Sequence, residues 1–143
     1  MNTFLLRIMT PEKSFFDGAA NEIVFSTPEG RIGVMAGHMP MVTAVAENTI
    51  EIRDGESTEA KIAAIGQGVC EIFDNTIEFY VDSVEWAADI DLARAREALE
   101  RAELRMRSSA DRMEYVRNQA AISRALARMK AANDTIGSLP DIS

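Results

Sequence analysis

The stretch Thr76–Ala95, TIEFYVDSVEWAADIDLARA, contains the change from a strand pattern to a helix pattern. At its start, Ile77 and Phe79 alternate with more polar neighbours, which is typical of a half-buried β-strand. After Trp86 the chain has no Gly or Pro until Gly137, and Ala, Arg, Glu and Leu predominate. Such a composition favours α-helix. The stretch therefore predicts a β-rich part before Trp86 and a helical part after it.

Short β-patterned segments separated by turn residues fill the chain before Trp86. The segments are Phe4–Met9, Glu22–Thr27, Ile32–Met35, Met41–Val45, Thr49–Arg53, Ala60–Ile65, Val69–Phe73 and Thr76–Val81. Pairs such as Asp54-Gly55 and Asp74-Asn75 lie between them and are favoured in turns. Short strands with turns at roughly ten-residue spacing are typical of an antiparallel sandwich or barrel.

The apolar spacing after Trp86 is helical. Residues that recur every three or four positions, and so share one helix face, are Leu92, Ala95, Leu99, Ala102 and Met106. A second helix is predicted from about Arg112 to Ala132. It follows an interruption at Ser108–Asp111, in which Asp111 and Glu114 resemble a capping box. The short connection predicts an antiparallel hairpin.

Many positions where the two predicted helices would meet are Ala, so the helices can approach closely but bury little apolar area. At roughly 25 cal/mol per Å² of buried area, such a contact is weak. We therefore expect the hairpin to open without unfolding of the β-rich part. The segment from Asn133 to Ser143 contains Gly137 and Pro140 and is predicted to be frayed.

The formal charge divides at the same boundary. Residues 1–85 have 5 basic and 14 acidic side chains, a net charge of −9, whereas residues 86–143 have 10 basic and 9 acidic ones, a net charge of +1. The total of −8 disfavours nonspecific binding of nucleic acid, which needs a clustered basic surface, and adhesion to anionic lipid. A basic partner could still be attracted to the first 85 residues.

The sequence also indicates the cellular compartment of the protein. Cys70 is the only cysteine, so an internal disulfide is excluded, which agrees with a reducing environment. No apolar run reaches the roughly 18 residues of a membrane span. The first residues, Met1–Arg7, lack the basic and apolar regions of a secretory signal. We therefore expect a cytoplasmic protein, or one attached to a membrane only through another protein.

His38, the only histidine, lies in the glycine-rich segment Glu29–Pro40. A catalytic histidine needs a nucleophile or substrate beside it, and a metal site needs further His or Cys ligands. The sequence offers neither. A phosphate-binding loop is also disfavoured, because no Lys followed by Ser or Thr comes after the glycines. A structural or interface role for His38 is the favoured interpretation, and an enzyme is the least favoured class of protein.

Several arginines on the two predicted helices could converge if the hairpin folds. They are Arg94, Arg101, Arg124 and Arg128. Converging guanidinium groups repel one another unless an anion lies among them, and their planar donors suit phosphate oxygens. Alternatively, these side chains pair with glutamates on solvated helix faces, which is the usual arrangement. The residues alone favour this second interpretation.

Four motifs together resemble the ε subunit of bacterial F-type ATP synthase. They are Gly18 with Glu22-Ile23, Glu29-Gly30-x-Ile32-Gly33-Val34-x-x-Gly37-His38-x-Pro40, Gly66-x-Gly68, and Ile90-Asp91-x-x-Arg94-Ala95. Their order and spacing are similar to those of the family, and the resemblance covers nearly the whole chain. It implies an antiparallel β-sandwich of about ten strands over residues 1–85, followed by an antiparallel two-helix hairpin with a frayed tail over residues 86–143.

The resemblance also implies a function. Such a protein is a non-catalytic rotor subunit of the central stalk, with the γ subunit, the c-ring and the α/β catalytic head as partners. It couples c-ring rotation to proton- or ion-driven ATP synthesis, and its extended hairpin inhibits ATP hydrolysis. The expected location is peripheral, on the cytoplasmic side of the bacterial cell membrane. A freestanding nucleotide-binding regulatory module is the alternative.

Two sets of residues follow from the resemblance. The implied c-ring and γ interface comprises Glu29, Arg31, Gly33 and His38. Many family members have an acidic residue at the position of Arg31, so the departure bears on the polarity of this contact. No cofactor is required, but ATP is implied as a regulatory ligand of the folded hairpin. The matching residues are Glu85, Ile90, Asp91, Arg94, Ala95, Arg101, Arg124 and Arg128.

Overall fold

The computed structural model describes residues 2–55, 59–107 and 112–138. The strands are β1 (Phe4–Met9), β2 (Ser14–Ala20), β3 (Glu22–Thr27), β4 (Gly30–Met35), β5 (Met41–Val45), β6 (Asn48–Arg53), β7 (Lys61–Ile65), β8 (Gly68–Phe73), β9 (Thr76–Val81) and β10 (Val84–Trp86). A 3₁₀ turn at Ala87–Asp89 precedes helices α1 (Leu92–Arg107) and α2 (Arg112–Ser138). The predicted fold class, a β-sandwich followed by a two-helix hairpin, is confirmed.

The strands form two five-stranded sheets. Sheet 1 has the order β2-β1-β9-β8-β5, and sheet 2 has the order β10-β7-β6-β3-β4. The pairing is antiparallel except between β1 and β9, which run parallel. Strands β4 and β5 are edge strands of different sheets, and they are consecutive in the chain. The loop between them therefore crosses from one sheet to the other along one side of the sandwich.

The core lies between the two sheets, where alternate side chains of each strand meet. Phe25 of sheet 2 and Phe79 of sheet 1 pack edge to face, with ring centroids 5.0 Å apart. Both are fully buried, and the other large buried side chains include Leu6, Ile8, Ile23, Ile50, Ile52, Ile65, Ile72 and Ile77. Each such side chain contributes roughly 1.5–3 kcal/mol on burial, so the sandwich has a core of its own.

Two strands have no counterpart among the segments predicted from the sequence. Strand β2, SFFDGAA, lacks regular alternation, and β10 is only 3 residues long. Their positions depend on pairing with β1 and β7, respectively. The Trp86 ring at the end of β10 packs against Phe15 of β2, with ring centroids 4.6 Å apart. This contact joins the two sheets on the side opposite β4 and β5.

Helix α2 extends beyond its predicted end. The helix continues through Gly137 to Ser138, so the prediction of a frayed tail from Asn133 is wrong as far as Ser138. A glycine inside a helix costs only about 1 kcal/mol relative to Ala, and the stronger helix breaker, Pro140, comes later. The predicted interruption and cap at Ser108–Asp111, and residues 139–143, lie outside the described residues.

The helical hairpin lies on the outer face of sheet 2. Helix α2 packs between α1 and strands β6 and β7, while α1 packs on α2. The buried residues of the two helices are mostly alanines: Ala95, Ala102, Ala125, Ala127, Ala131 and Ala132, together with Asn118. A small apolar cluster of Ala64, Ala87 and Ala131 joins α2 to the sandwich. The contact is therefore close but small in apolar area, as the alanine pattern predicts.

Candidate functional site

A cleft of about 450 Å³ lies between the helical hairpin and the β7–β10 side of sheet 2. Part of its lining is apolar and includes Ala64, Ile65 and Val84. Its charged side chains are Arg105 from α1, Arg124 and Arg128 from α2, and Glu47 and Glu85 from the sandwich. Three guanidinium groups beside an apolar surface suit a ligand that has both an anionic and an apolar part.

Arg128 and Glu85 form a two-point ion pair in this cleft. Nε of Arg128 donates to Oε2 of Glu85 at 2.9 Å, and Nη2 donates to Oε1 at 3.4 Å. The side chains are 32% and 38% exposed, so solvent screens the pair. Ion pairs of this kind contribute about 1 kcal/mol or less. The pair therefore stabilises the docking of α2 onto β10 modestly, and an anionic ligand would compete with Glu85 for Arg128.

Glu47 lies in the turn between β5 and β6 and contacts the cleft from the sandwich side. Its Oε2 atom is buried and has no hydrogen-bond partner within the part of the chain that the structure describes. Burial raises the pKa of the Glu47 carboxyl, the positive charge of Arg124 lowers it, and the negative charge of Asp82 raises it. The net direction is upward, with burial as the largest cause, so this carboxyl is harder to ionise in the folded protein than in water.

The predicted residues at the start of α1 make contacts within the chain and lie outside the lining of the cleft. Oδ1 of Asp91 accepts a hydrogen bond from the backbone N–H of Arg94 at 3.2 Å, which is a helix-capping contact. The Arg94 side chain is 82% exposed. Ala95 is fully buried, and Ile90 packs beside the cluster of Ala64, Ala87 and Ala131. These residues position the first turn of α1, and none of them is among the residues that line the cleft.

Helix α1 presents Arg105, and not the predicted Arg101, to the cleft. Arg105 follows Ala98, another cleft residue, by two helical turns, so the two side chains share a face. Of the eight predicted ATP-binding residues, the structure brings Glu85, Arg124 and Arg128 together in the cleft. A helical projection centred on Ala98 would have identified Arg105. The sequence contains no signal for Glu47, whose place depends on the fold.

The predicted interface residues lie along one edge strand. Glu29 precedes β4, Arg31 and Gly33 lie within it, and His38 follows it. Because a strand of this length spans roughly 17–20 Å, Glu29 and His38 lie at opposite ends of β4. The structure therefore arranges the four residues as a line along an open sheet edge and does not gather them into one patch.

Arg31 turns back over the outer face of sheet 2. Its Nη1 donates to Oγ of Ser26 at 2.9 Å and to the carbonyl oxygen of Thr49 at 3.1 Å. Its Nη2 lies 3.5 Å from Oε2 of Glu51. A partner that approaches β4 would therefore meet an arginine whose charge is already partly balanced by Glu51.

His38 and Cys70, the other side chains considered for catalysis or metal binding, have ordinary surroundings. Nδ1 of His38 lies 2.7 Å from the carbonyl oxygen of Met39, its neighbour in the chain. Burial raises the pKa of the Cys70 thiol to about 12, so this thiol is unreactive in the folded protein. Within residues 2–55, 59–107 and 112–138, no group of His, Cys, Asp and Glu side chains is arranged to hold a metal ion. None of the described helices is long and apolar enough to cross a lipid bilayer.

Two family models match the chain, one for each part of the structure. The model described as the beta-sandwich domain of the ATP synthase delta/epsilon chain matches residues 3–87. The model described as the long alpha-helix domain of the same chain matches residues 88–133.

Two curated relatives match over almost their whole length. The ATP synthase epsilon chain of Ruminiclostridium cellulolyticum is 35% identical over 134 residues, covering 93% of this chain and 98% of the relative. That of Caldicellulosiruptor bescii is 39% identical over 135 residues, covering 94% of this chain and 96% of the relative.

Two solved structures have a similar fold. A chain in the cryo-EM structure of the Euglena gracilis mitochondrial ATP synthase, OSCP/F1/c-ring in rotational state 1, matches with a TM-score of 0.77 at 19% identity, covering 94% of this chain and 81% of that one. A chain in the central stalk/c-ring structure of the Tetrahymena thermophila enzyme matches with a TM-score of 0.63 at 18% identity, covering 90% and 95%. At these identities the likeness concerns the fold.

Proposed function

Because the chain belongs to the ATP synthase delta/epsilon chain family, we propose that it is a rotor subunit in the central stalk of an ATP synthase. In this role it binds the γ subunit and the c-ring, turns with them beneath the α/β catalytic head, and has no active site of its own. The observation that supports this proposal is the extent of the match, which includes both the sandwich and the helical hairpin, from residue 3 to residue 133.

Two exposed regions of the sandwich suit binding to rotor partners. Exposed apolar side chains along the β4–β5 side are Met35, Met39 and Val42, and those on the outer face of sheet 1 are Val69, Phe73 and Tyr80. Grouped apolar side chains on a surface are typical of protein–protein interfaces. The hairpin packs on the outer face of sheet 2, and in the part of the chain that the structure describes these side chains of sheet 1 are accessible to a partner. We assign the β4–β5 side to the c-ring and the outer face of sheet 1 to γ.

Purification of the tagged chain from native membranes tests the rotor proposal. We expect the chain to elute with α, β, γ and c subunits in a fixed ratio. Elution of the chain alone, with nucleotide bound, would favour the freestanding regulatory module instead. The purified chain is expected to hydrolyse no ATP, and turnover by a preparation free of other subunits would assign it an active site.

We assign a regulatory role to the hairpin, which would inhibit ATP hydrolysis when it leaves sheet 2 and extends toward the catalytic head. The small apolar area of its alanine contact supports this proposal, since such a contact can open at low cost. The measurement is the ATP hydrolysis rate of the complete complex with the intact chain and with a chain ending at residue 87. A higher rate with the shortened chain is expected. Equal rates would remove the regulatory role but leave the rotor role.

ATP is the regulatory ligand that we propose for the cleft, because Arg105, Arg124 and Arg128 can bind phosphate oxygens beside an apolar surface. Isothermal titration of the full chain with ATP, with and without Mg²⁺, tests this proposal. Arg124→Ala and Arg128→Ala are each expected to weaken binding about tenfold, the usual loss for a charged hydrogen bond. Arg96→Ala, on an exposed face of α1, is the control. No heat at millimolar ATP would remove the sensor role and leave the rotor role.

The proposed location is peripheral, on the cytoplasmic side of a bacterial cell membrane, with attachment through γ and the c-ring. Such attachment predicts that the chain leaves washed membranes together with the catalytic head. Loss of the chain at a salt concentration that leaves the head bound would contradict this location.

A further inference from the structure

The loop that contains His38, residues 36–40, is held by the side chain of Asn75, which lies in the turn between β8 and β9. Oδ1 of Asn75 accepts a hydrogen bond from the backbone N–H of Gly37 at 2.9 Å. Nδ2 of the same amide donates to the carbonyl oxygen of Thr3 at 2.8 Å. The backbone carbonyl of Asn75 accepts from the N–H of Leu5 at 3.2 Å. These contacts, which we call the Asn75 bridge, connect the β4–β5 loop, the β8–β9 turn and the N-terminal segment.

The backbone conformation explains why an Asn suits this position. Asn75 has a φ of 56° and Asp74 a φ of 51°, both in the left-handed region. Asn, Asp and Gly adopt this region most readily, but only the amide of Asn has both a donor and an acceptor. The amide oxygen reaches Gly37 and the amide nitrogen reaches Thr3. The left-handed turn and the Asn75 bridge therefore both favour Asn at this position.

The β4–β5 loop needs such a restraint. Gly37 has a φ of 82° and, as a glycine, loses much conformational freedom when it is ordered. The hydrogen bond between His38 and Met39 is local and does not attach the loop to the rest of the sandwich. Met39 is 71% exposed and would be presented to a partner. A loop that is ordered before binding does not incur this entropy loss when the partner docks.

We propose that Asn75 is a positioning residue for the docking of the His38 loop onto the c-ring. The inference rests on the proposed rotor function and adds a residue that acts through Gly37 and the loop. Asn75 holds the loop in its docking conformation from behind, while His38 and Met39 make the contact. The N-terminal segment takes part, because Thr3 anchors the other side of the amide.

Three variants of the full chain separate the bridge from the turn. Asn75→Gly keeps the left-handed turn but removes both side-chain hydrogen bonds. Asn75→Asp keeps the acceptor for Gly37 and removes the donor to Thr3. Asp74→Gly is the matched control, because it changes the neighbouring left-handed residue and leaves the bridge intact.

The measurement is association and dissociation of each full-length variant with a purified γ–c-ring subcomplex, together with the melting temperature and hydrogen exchange of the Gly37 amide. We expect Asn75→Gly to bind about tenfold more weakly, with faster exchange at Gly37, and Asn75→Asp to lie between it and the wild type. Asp74→Gly should bind within about twofold of the wild type, as expected for a change outside the contact.

Three outcomes overturn the inference. The first is that Asn75→Gly binds within twofold of the wild type. The second is that Asp74→Gly weakens binding equally, since that result would show an effect of the turn alone. The third is that the loss of binding follows the melting temperature across all variants, which would indicate a general structural role. If the wild-type chain itself does not bind the subcomplex, the rotor proposal fails. This result differs from a failure of the Asn75 inference alone, in which the wild-type chain still binds.

Discussion

The sandwich and the helical hairpin are stabilised by contacts of different size. Between the sheets, aromatic and branched side chains such as Phe25 and Phe79 interlock. Between the helices and sheet 2, the buried residues are mostly alanines, joined by the partly exposed pair of Arg128 and Glu85. A buried alanine methyl contributes about 0.8 kcal/mol, far less than an aromatic ring. A partner or ligand whose binding energy is a few kcal/mol can therefore move the hairpin but not unfold the sandwich.

The largest expected effect is in the sandwich core. Phe79→Ala removes one ring of the buried edge-to-face pair and should lower the free energy of unfolding by about 3–5 kcal/mol. Urea denaturation followed by circular dichroism and Trp86 fluorescence measures this loss. The neighbouring Tyr80 is exposed, so Tyr80→Ala should cost far less. Similar losses for the two variants would contradict the described core.

A charge in the alanine contact should separate the two regions. Ala131 is fully buried between α2 and sheet 2, so Ala131→Glu would bury an unpaired carboxylate at a cost of several kcal/mol. We expect the hairpin to undock, with fast hydrogen exchange along α2, while the sandwich keeps most of its stability. Leu126→Glu, at an exposed position of the same helix, is the control. Loss of the sandwich in the Ala131 variant would show that the two regions fold as one unit.

The pair of Arg128 and Glu85 should have a smaller effect. Arg128→Ala removes a partly exposed ion pair and is expected to weaken docking by about 1 kcal/mol or less. Hydrogen exchange of α2 amides in the absence of nucleotide measures the change. Glu85→Gln should weaken docking by a similar amount. In the double variant, docking should be no weaker than in either single variant. Additive losses would mean that the two side chains act independently.

The smallest effect concerns pH and Glu47. Folding raises the pKa of this carboxyl above its usual value of 4.5, so the folded protein binds a proton there more tightly than the unfolded chain. The stability that this group contributes should therefore be fully present below pH 4.5 and be lost as pH rises through the folded pKa. Since the group is partly solvated, we expect a change of about two- to fivefold in the folding equilibrium.

Glu47→Gln tests this dependence, because it keeps the shape and removes the titration. The variant should have a higher free energy of unfolding than the wild type at neutral pH, and the difference should shrink toward pH 4.5 in urea denaturation. A difference that grows as pH falls would reverse the assigned sign. Asp82 and Arg124 are the charged side chains that act on Glu47.

The fold was predictable wherever local pattern and final environment agree. Alternation in β9 and the helical spacing of α1 each follow from which face of the element is buried. Strand β2 was not predictable, since its Gly18, Ala19 and Ala20 form a strand only because β1 pairs with them. The end of α2 was misplaced because Gly137 is a weaker helix breaker than Pro140.

The candidate site was less predictable than the fold. Arg124 and Arg128 were identified because they are one turn apart on α2, and both line the cleft. The selection of Arg101 over Arg105 depended on the rotation of α1, and alanine contacts restrict that rotation only after the helices pack. Glu47 and Asn75 lie in turns, and no local pattern indicates which distant segment a turn residue will contact.

The change from strands to helices at Trp86, the separation of charge, and the residue types available at each surface follow from the amino-acid sequence, because they depend on neighbours along the chain. Three other features arise only when the chain has folded: which arginines share a cleft, the balance of Arg31 by Glu51, and the link that Asn75 makes between the His38 loop and Thr3. These contacts join residues far apart in sequence. Their geometry depends on sheet pairing and helix packing, which no local window of the chain contains.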